Sequence, residues 1–154
     1  MNYHKIIKAS ICDGIGVRCT LYLSGCNNHC KGCHNPETWD FNSGFKFDEN
    51  AKRELFSQLE KPYIQGLTLS GGDPLCSYDE VLELVKEVKV LFPTKDIWLY
   101  TGYTLEEVYE TQREAILEYI DVLVDGRFIQ EEKDLTIAFR GSRNQRILEK
   151  GKDF

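Results

Sequence analysis

The chain has 154 residues, with 19 Lys and Arg against 25 Asp and Glu and a net charge of −6. That length supports one hydrophobic core, so residues 1–154 are expected to form a single domain. A phosphate-backbone binder needs a basic face to release counterions, so a nucleic-acid partner is not expected. No run of ~18 apolar residues appears and the first twenty residues lack a signal-peptide pattern, so a soluble, cytoplasmic protein without membrane association is expected.

In chain order, Asp13-Gly14-Ile15-Gly16 reads as a turn, because paired glycines supply backbone angles other residues avoid. Arg18 to Ser24 is rich in β-favouring residues and reads as a strand that Gly25 breaks. Cys26, Cys30 and Cys33 follow in a loop of C-x3-C-x2-C spacing. Asn35 to Phe47 has no clean period and reads as ordered loop, with Trp39, Phe41, Phe45 and Phe47 covering the core. A helix is expected from Asp48, with Asp48 as N-cap, Leu55, Phe56 and Leu59 facing inward and Pro62 ending it.

Gly66 to Ser70 predicts a second strand, closed by Gly71-Gly72-Asp73-Pro74. Ser77 and Glu80 have capping-box spacing and lead into an apolar stripe from Val81 to Leu91, which Pro93 stops. Asp96 to Tyr100 predicts a third strand, followed by Thr101-Gly102-Tyr103. A second capping box, Thr104 to Glu107, opens a helix expected to reach about Ile120, and Val122 to Asp125 predicts a fourth strand. Residues 127–154 are less legible: Phe139 to Ile147 suits a loop and final strand, with Arg140, Arg143 and Arg146 on a solvated face.

Alternating strands and helices imply parallel β/α units. At ~30 residues per βαβ unit there is room for four to five, too few to close an eight-unit barrel. The expected fold is therefore α/β, a partial, open, TIM-like β/α barrel.

The cysteine loop carries the chemistry. Three thiolates within eight residues can hold one compact inorganic centre. Iron–sulfur clusters normally take four cysteines, so three nearby ligands suggest a cubane with one iron open to a further ligand. Three alternatives stand beside this. One is a disulfide within the loop; another is a zinc site of Cys26, Cys30, Cys33 and His29 or His34. The third is an electron carrier with Cys76 or Cys19 as fourth ligand. Otherwise Cys12, Cys19 and Cys76 read as small packing residues. The cysteine loop, Ser70-Gly71-Gly72-Asp73 and Thr101-Gly102-Tyr103 all fall at carboxyl ends of strands, which share one face in a parallel α/β fold. Bare glycine backbone there can approach a small zwitterion, and Asp73 is a candidate partner for its ammonium group.

With these residues the chain resembles the radical S-adenosylmethionine enzymes, whose hallmark C-x3-C-x2-C is matched by Cys26, Cys30 and Cys33 and whose glycine-rich motif is matched by Ser70 to Pro74. The resemblance implies a 4Fe-4S cluster on those three cysteines and S-adenosylmethionine on the open iron. It implies cofactor contacts from Gly32, Cys33, His34, Ser70, Gly71, Gly72, Asp73 and Thr101, with adenine met by backbone around Gly32 to His34. No side chain is implied as acid or base. Asp73 stands where many members have Glu, and Gly32 where an aromatic is common. Over nearly the whole chain the resemblance narrows to the activases of anaerobic ribonucleoside-triphosphate reductase. The similar stretches include Gly25 to Asn35, Thr38-Trp39, Leu69 to Leu75, Thr101 to Tyr103, Val122 to Gly126 and Arg140 to Gln145. This family implies a radical oxidoreductase that installs a glycyl radical on that reductase, with reduced flavodoxin or a similar one-electron donor. Two departures are Ile15, where many members have proline, and His34, where some have tyrosine. An activase for a pyruvate formate-lyase type enzyme and a small-molecule radical enzyme of the carboxy-deazaguanine synthase sort are the other enzymatic readings.

Overall fold

The computed structural model describes residues Met1–Phe154. Four strands, β2 (Arg18–Leu23), β4 (Gly66–Gly71), β5 (Asp96–Tyr100) and β6 (Val122–Asp125), pair in parallel. They are the four strands expected from the sequence. Three antiparallel strands extend this sheet: β1 (Asn2–Ser10) beside β2, the two-residue β3 (Phe45–Lys46) beyond it, and β7 (Arg146–Glu149) beside β6. The seven-stranded order is β3-β1-β2-β4-β5-β6-β7, so the sheet is mixed and ends in two free edges.

Strand alternation sorts the two faces. Cys19, Leu21, Leu23, Leu67, Leu69, Ile97, Leu99 and Leu123 point to the helix side and join one core with Leu55 and Leu59 of α1 (Glu49–Leu59) and Val81, Val85 and Val88 of α2 (Tyr78–Leu91). The opposite face is polar at one end, where the fully buried Arg18 donates through Nε to Thr68 Oγ1 at 2.8 Å. The Asp13–Gly16 turn folds onto this face: Asp13 Oδ2 accepts from Ser10 Oγ at 2.8 Å and Thr20 Oγ1 at 3.2 Å. Further along, Trp98, Val122 and Val124 pack under Phe139 and Ile147.

Local signals hold unevenly. Asp48 caps α1 by accepting from Ala51 N–H, and Thr104 and Glu107 form a complete capping box at α3 (Leu105–Glu110). Ser77 makes no side-chain cap bond; Glu80 instead pairs with the Met1 ammonium at 3.2 Å. The third helix stops ten residues short of Ile120, because Gln112 takes a left-handed φ of 59°. Gln112 N–H then bonds Tyr109 O at 3.1 Å and Arg113 N–H bonds Val108 O at 2.9 Å, a Schellman ending. Arg146 is not merely solvated, since its guanidinium bridges Asp125 at 2.5 Å and Glu106 at 2.9 Å. No helix is long and apolar enough to cross a membrane.

Candidate functional site

Parallel register brings the loops together. Leu23 lies opposite Gly71, Leu69 opposite Leu99 and Tyr100 opposite Val124, so the chain leaves β2, β4, β5 and β6 along one edge of the sheet. The cleft at that edge encloses about 230 Å³ and is lined by Cys26, Cys30 and Cys33 together with His34, Ser70, Gly71, Gly72, Asp73 and Thr101. A larger groove of about 360 Å³ lies between α1 and α2, but it is walled by carboxylates around Lys52 and holds no thiol, so size does not select the site. Of the residues expected to meet a cofactor, Gly32 alone stays off the cleft wall, where it is exposed against the Gln130 side chain.

Close approach dictates the glycine pair. Gly71 has φ +105°, and a Cβ there would strike the backbone of Leu23 on the neighbouring strand. A Cβ on Gly72 would strike Gly25 O and come within 2.9 Å of Thr38 O. The glycines therefore let β4's exit pass directly against the start of the cysteine loop. Gly25 N–H bonds Thr38 O at 2.6 Å, Cys26 N–H bonds Trp39 O at 3.1 Å and Asp73 N–H bonds Gly25 O at 2.8 Å.

Asp73 is 1 % exposed, and its carboxylate accepts four hydrogen bonds: from Leu75 N–H (3.0 Å) and Thr101 Oγ1 (2.8 Å) on Oδ1, and from Gly102 N–H (2.9 Å) and Asn28 Nδ2 (2.8 Å) on Oδ2. Burial raises its pKa and the four donors oppose the rise. Both oxygens are thus committed within the protein, and the carboxylate holds three loops together.

The sulfurs sit in an amide-rich setting. Asn28 N–H points at Cys26 Sγ and Asn35 N–H at Cys33 Sγ, each at 3.4 Å. A hydrogen bond from the Cys76 thiol draws the Cys26 pKa down to about 6, aided by the Asn28 N–H and opposed by burial. Burial raises Cys30, with the Phe128 N–H pulling the other way. The three thiols share a cleft wall but are not gathered into a metal-ligand cluster. Their chemistry fits an iron–sulfur group, because amides aimed at cysteine sulfur stabilise the thiolate and tune such centres. Cys19 is fully buried on the helix side, where burial pushes its thiol up to about 12. Cys12, expected to pack, is exposed.

Other residues of the site carried no usable signal. Asn28 sits within the cysteine loop like any loop asparagine. Trp39, expected over the core, lines the cleft and stacks on His29 with ring centroids 4.5 Å apart and planes 10° apart. The segment after β6 folds back as a wall: Phe128 meets His34 edge-on at 5.1 Å, while the Gln145 side chain accepts from Gly141 and Ser142 N–H and donates to Gly126 O at 2.9 Å.

An open mixed sheet with a three-cysteine cleft at the carboxyl edge of its parallel strands is accompanied by a match of residues 12–148 to a family described as a 4Fe-4S single cluster domain, and the chain belongs to that class. Its relatives define the group further. The chain is 48% identical over 151 residues to a protein of Vibrio cholerae, covering 96% of this chain and 97% of that one. It is 43% identical over 149 residues to a protein of Escherichia coli K12, covering 94% and 96%. It is 44% identical over 151 residues to one of Enterobacteria phage T4, covering 96% and 93%. All three are named anaerobic ribonucleoside-triphosphate reductase-activating protein. The chain belongs to that family.

Proposed function

We propose that the protein activates anaerobic ribonucleoside-triphosphate reductase by generating a glycyl radical on it. The observation that carries the proposal is the shared cleft of Cys26, Cys30 and Cys33 with Ser70, Gly71 and Gly72, on a chain of this family. Cys26, Cys30 and Cys33 would hold the 4Fe-4S cluster, leaving an iron for S-adenosylmethionine. When bound, these cofactors supply one-electron cleavage of the carbon–sulfur bond, releasing methionine and a 5′-deoxyadenosyl radical that takes hydrogen from a glycine α-carbon.

The chain's own part is positioning. Gly71 and Gly72 offer bare backbone to the amino-acid end of S-adenosylmethionine, and Cys33 and His34 flank its remaining length. Asp73 and Thr101, each engaged with the other at 2.8 Å, shape the cleft floor rather than carry charge to the cofactor. Gly32 is assigned to the outer edge of this site. The unclosed sheet, read as part of a TIM-like barrel within a single domain spanning 1–154, leaves a flank open to a protein substrate. The electron is assigned to reduced flavodoxin or a similar donor. The test is anaerobic reconstitution, reduction and incubation with S-adenosylmethionine and the reductase. Methionine and 5′-deoxyadenosine formed in step with reductase activity are expected; a colourless protein holding only zinc would overturn the proposal.

A further inference from the structure

Trp39 is the one cleft-lining residue with a buried side-chain polar atom that has no partner. Its indole N–H is buried and has no hydrogen-bond partner. Buried donors in native proteins are almost always paired, so an orphan at a ligand site points to a group the site is built to receive. Acceptors of the adjoining loops bond other donors. Thr38 O takes Gly25 N–H, Gly25 O takes Asp73 N–H, Trp39 O takes Cys26 N–H, and both Asp73 oxygens are engaged.

The ring is also held in place from two sides. Its backbone is tied to Cys26 at 3.1 Å, and its face lies flat on His29, which sits between Cys26 and Cys30 in sequence and adopts a left-handed φ of 46°. A tryptophan that only covered the core would need neither a place on the cleft wall nor a buried N–H without a partner.

We infer that the Trp39 indole N–H is a cofactor-binding donor, whose partner is an anionic acceptor of the group bound in the cleft. Two sources have that chemistry: a sulfur of the 4Fe-4S cluster and the carboxylate of S-adenosylmethionine. The inference rests on the proposed function, since both acceptors belong to it. A donor aimed at a cluster sulfur favours the reduced, more negative state and raises the reduction potential. A donor aimed at the carboxylate strengthens binding of S-adenosylmethionine and leaves the potential of the cluster alone unchanged.

The test replaces the donor without the shape. Trp39→Phe keeps a ring on His29, and the benzothiophene isostere of tryptophan at position 39 keeps the full volume; both delete the N–H. Iron and sulfide content, the cluster midpoint potential followed by electron paramagnetic resonance, and the S-adenosylmethionine dissociation constant are measured on each loaded protein. Wild-type content and a more negative potential assign the acceptor to the cluster. Wild-type content with affinity lowered on the order of tenfold assigns it to the carboxylate. Unchanged potential and unchanged affinity in the isostere protein overturn the inference. Failure of the wild-type chain to assemble a 4Fe-4S cluster is a different result, and overturns the function beneath it.

Discussion

Asn28, two residues after the first cysteine of the loop, donates its side-chain amide to Asp73 at 2.8 Å. This bond ties the cysteine loop to the glycine-rich turn after β4, and Asp73 passes the tie on to Thr101 and Gly102 after β5. Three loops far apart in sequence thereby become one wall. Asp73→Asn turns one acceptor oxygen into a donor and leaves at least one buried N–H unmatched, at a cost of about 1–3 kcal/mol. A fall in Tm of about 2–4 °C per kcal/mol is expected for a chain of this size. Asn28→Ala is expected to cost less, and its effect to shrink in the Asp73→Asn background, as a double-mutant cycle of urea titrations measures. Strict additivity would show the two side chains to be uncoupled.

The glycine pair is expected to be intolerant for a steric reason. Gly71→Ala and Gly72→Ala push a methyl into backbone, not into a side chain that can swing away. Each is expected to lower stability by about 1–3 kcal/mol, read from the urea midpoint. Gly72→Ala is expected to impair cluster uptake as well, since Gly25 precedes Cys26. Wild-type stability in both variants would refute the tight approach of β4's exit to the cysteine loop.

Cys76 lies against Cys26, close enough for their thiols to hydrogen-bond, and invites assignment as a fourth ligand. The open-iron account expects Cys76→Ala and Cys19→Ala to keep full iron and sulfide after reconstitution, and Cys26→Ala, Cys30→Ala and Cys33→Ala to lose the cluster. Addition of S-adenosylmethionine is expected to perturb the cluster's spectrum in Cys76→Ala as in wild type. Loss of the cluster in Cys76→Ala would favour the electron carrier.

Glu107 reports on how the wall after β6 is anchored. Arg127 hydrogen-bonds both its oxygens, at 2.8 and 3.1 Å, and with the Thr104 cap draws its pKa down from 4.5 to about 2. A depressed carboxylate pKa adds stability that is present above the unfolded value and lost as pH falls through the folded one. Here that window runs from about 4.5 down to about 2. Arg127→Ala is expected to raise the Glu107 pKa in an NMR titration and to flatten the stability loss across that window. The effect is modest, because the pair is partly exposed and screened. An unmoved Glu107 titration would mean that Arg127 does not hold it.

The four parallel strands were readable because each is a short apolar run closed by glycine or a turn, and their shared carboxyl edge follows from parallel pairing alone. β1 was not, since Asn2–Ser10 is half-exposed on both faces and shows neither strict alternation nor a breaker. The end of α3 was hidden because Gln112, not glycine, takes the left-handed position. Cys26, Cys30 and Cys33 announce themselves by spacing. Asn28 and Trp39 do not, because their meaning lies in contacts with Asp73 and His29 that local sequence does not encode. Asp73 stood out in the sequence, but the four donors that engage its carboxylate, from Asn28, Leu75, Thr101 and Gly102, come from three separate loops and could not be read there.

The most direct test mixes the reduced, reconstituted protein with S-adenosylmethionine and anaerobic ribonucleoside-triphosphate reductase, and records the electron paramagnetic resonance spectrum of the separated reductase. A glycyl doublet on the reductase, absent when Cys26, Cys30 or Cys33 is replaced by alanine, is the predicted result. No radical on the reductase, with a doublet instead on a pyruvate formate-lyase type enzyme treated in the same way, would contradict it.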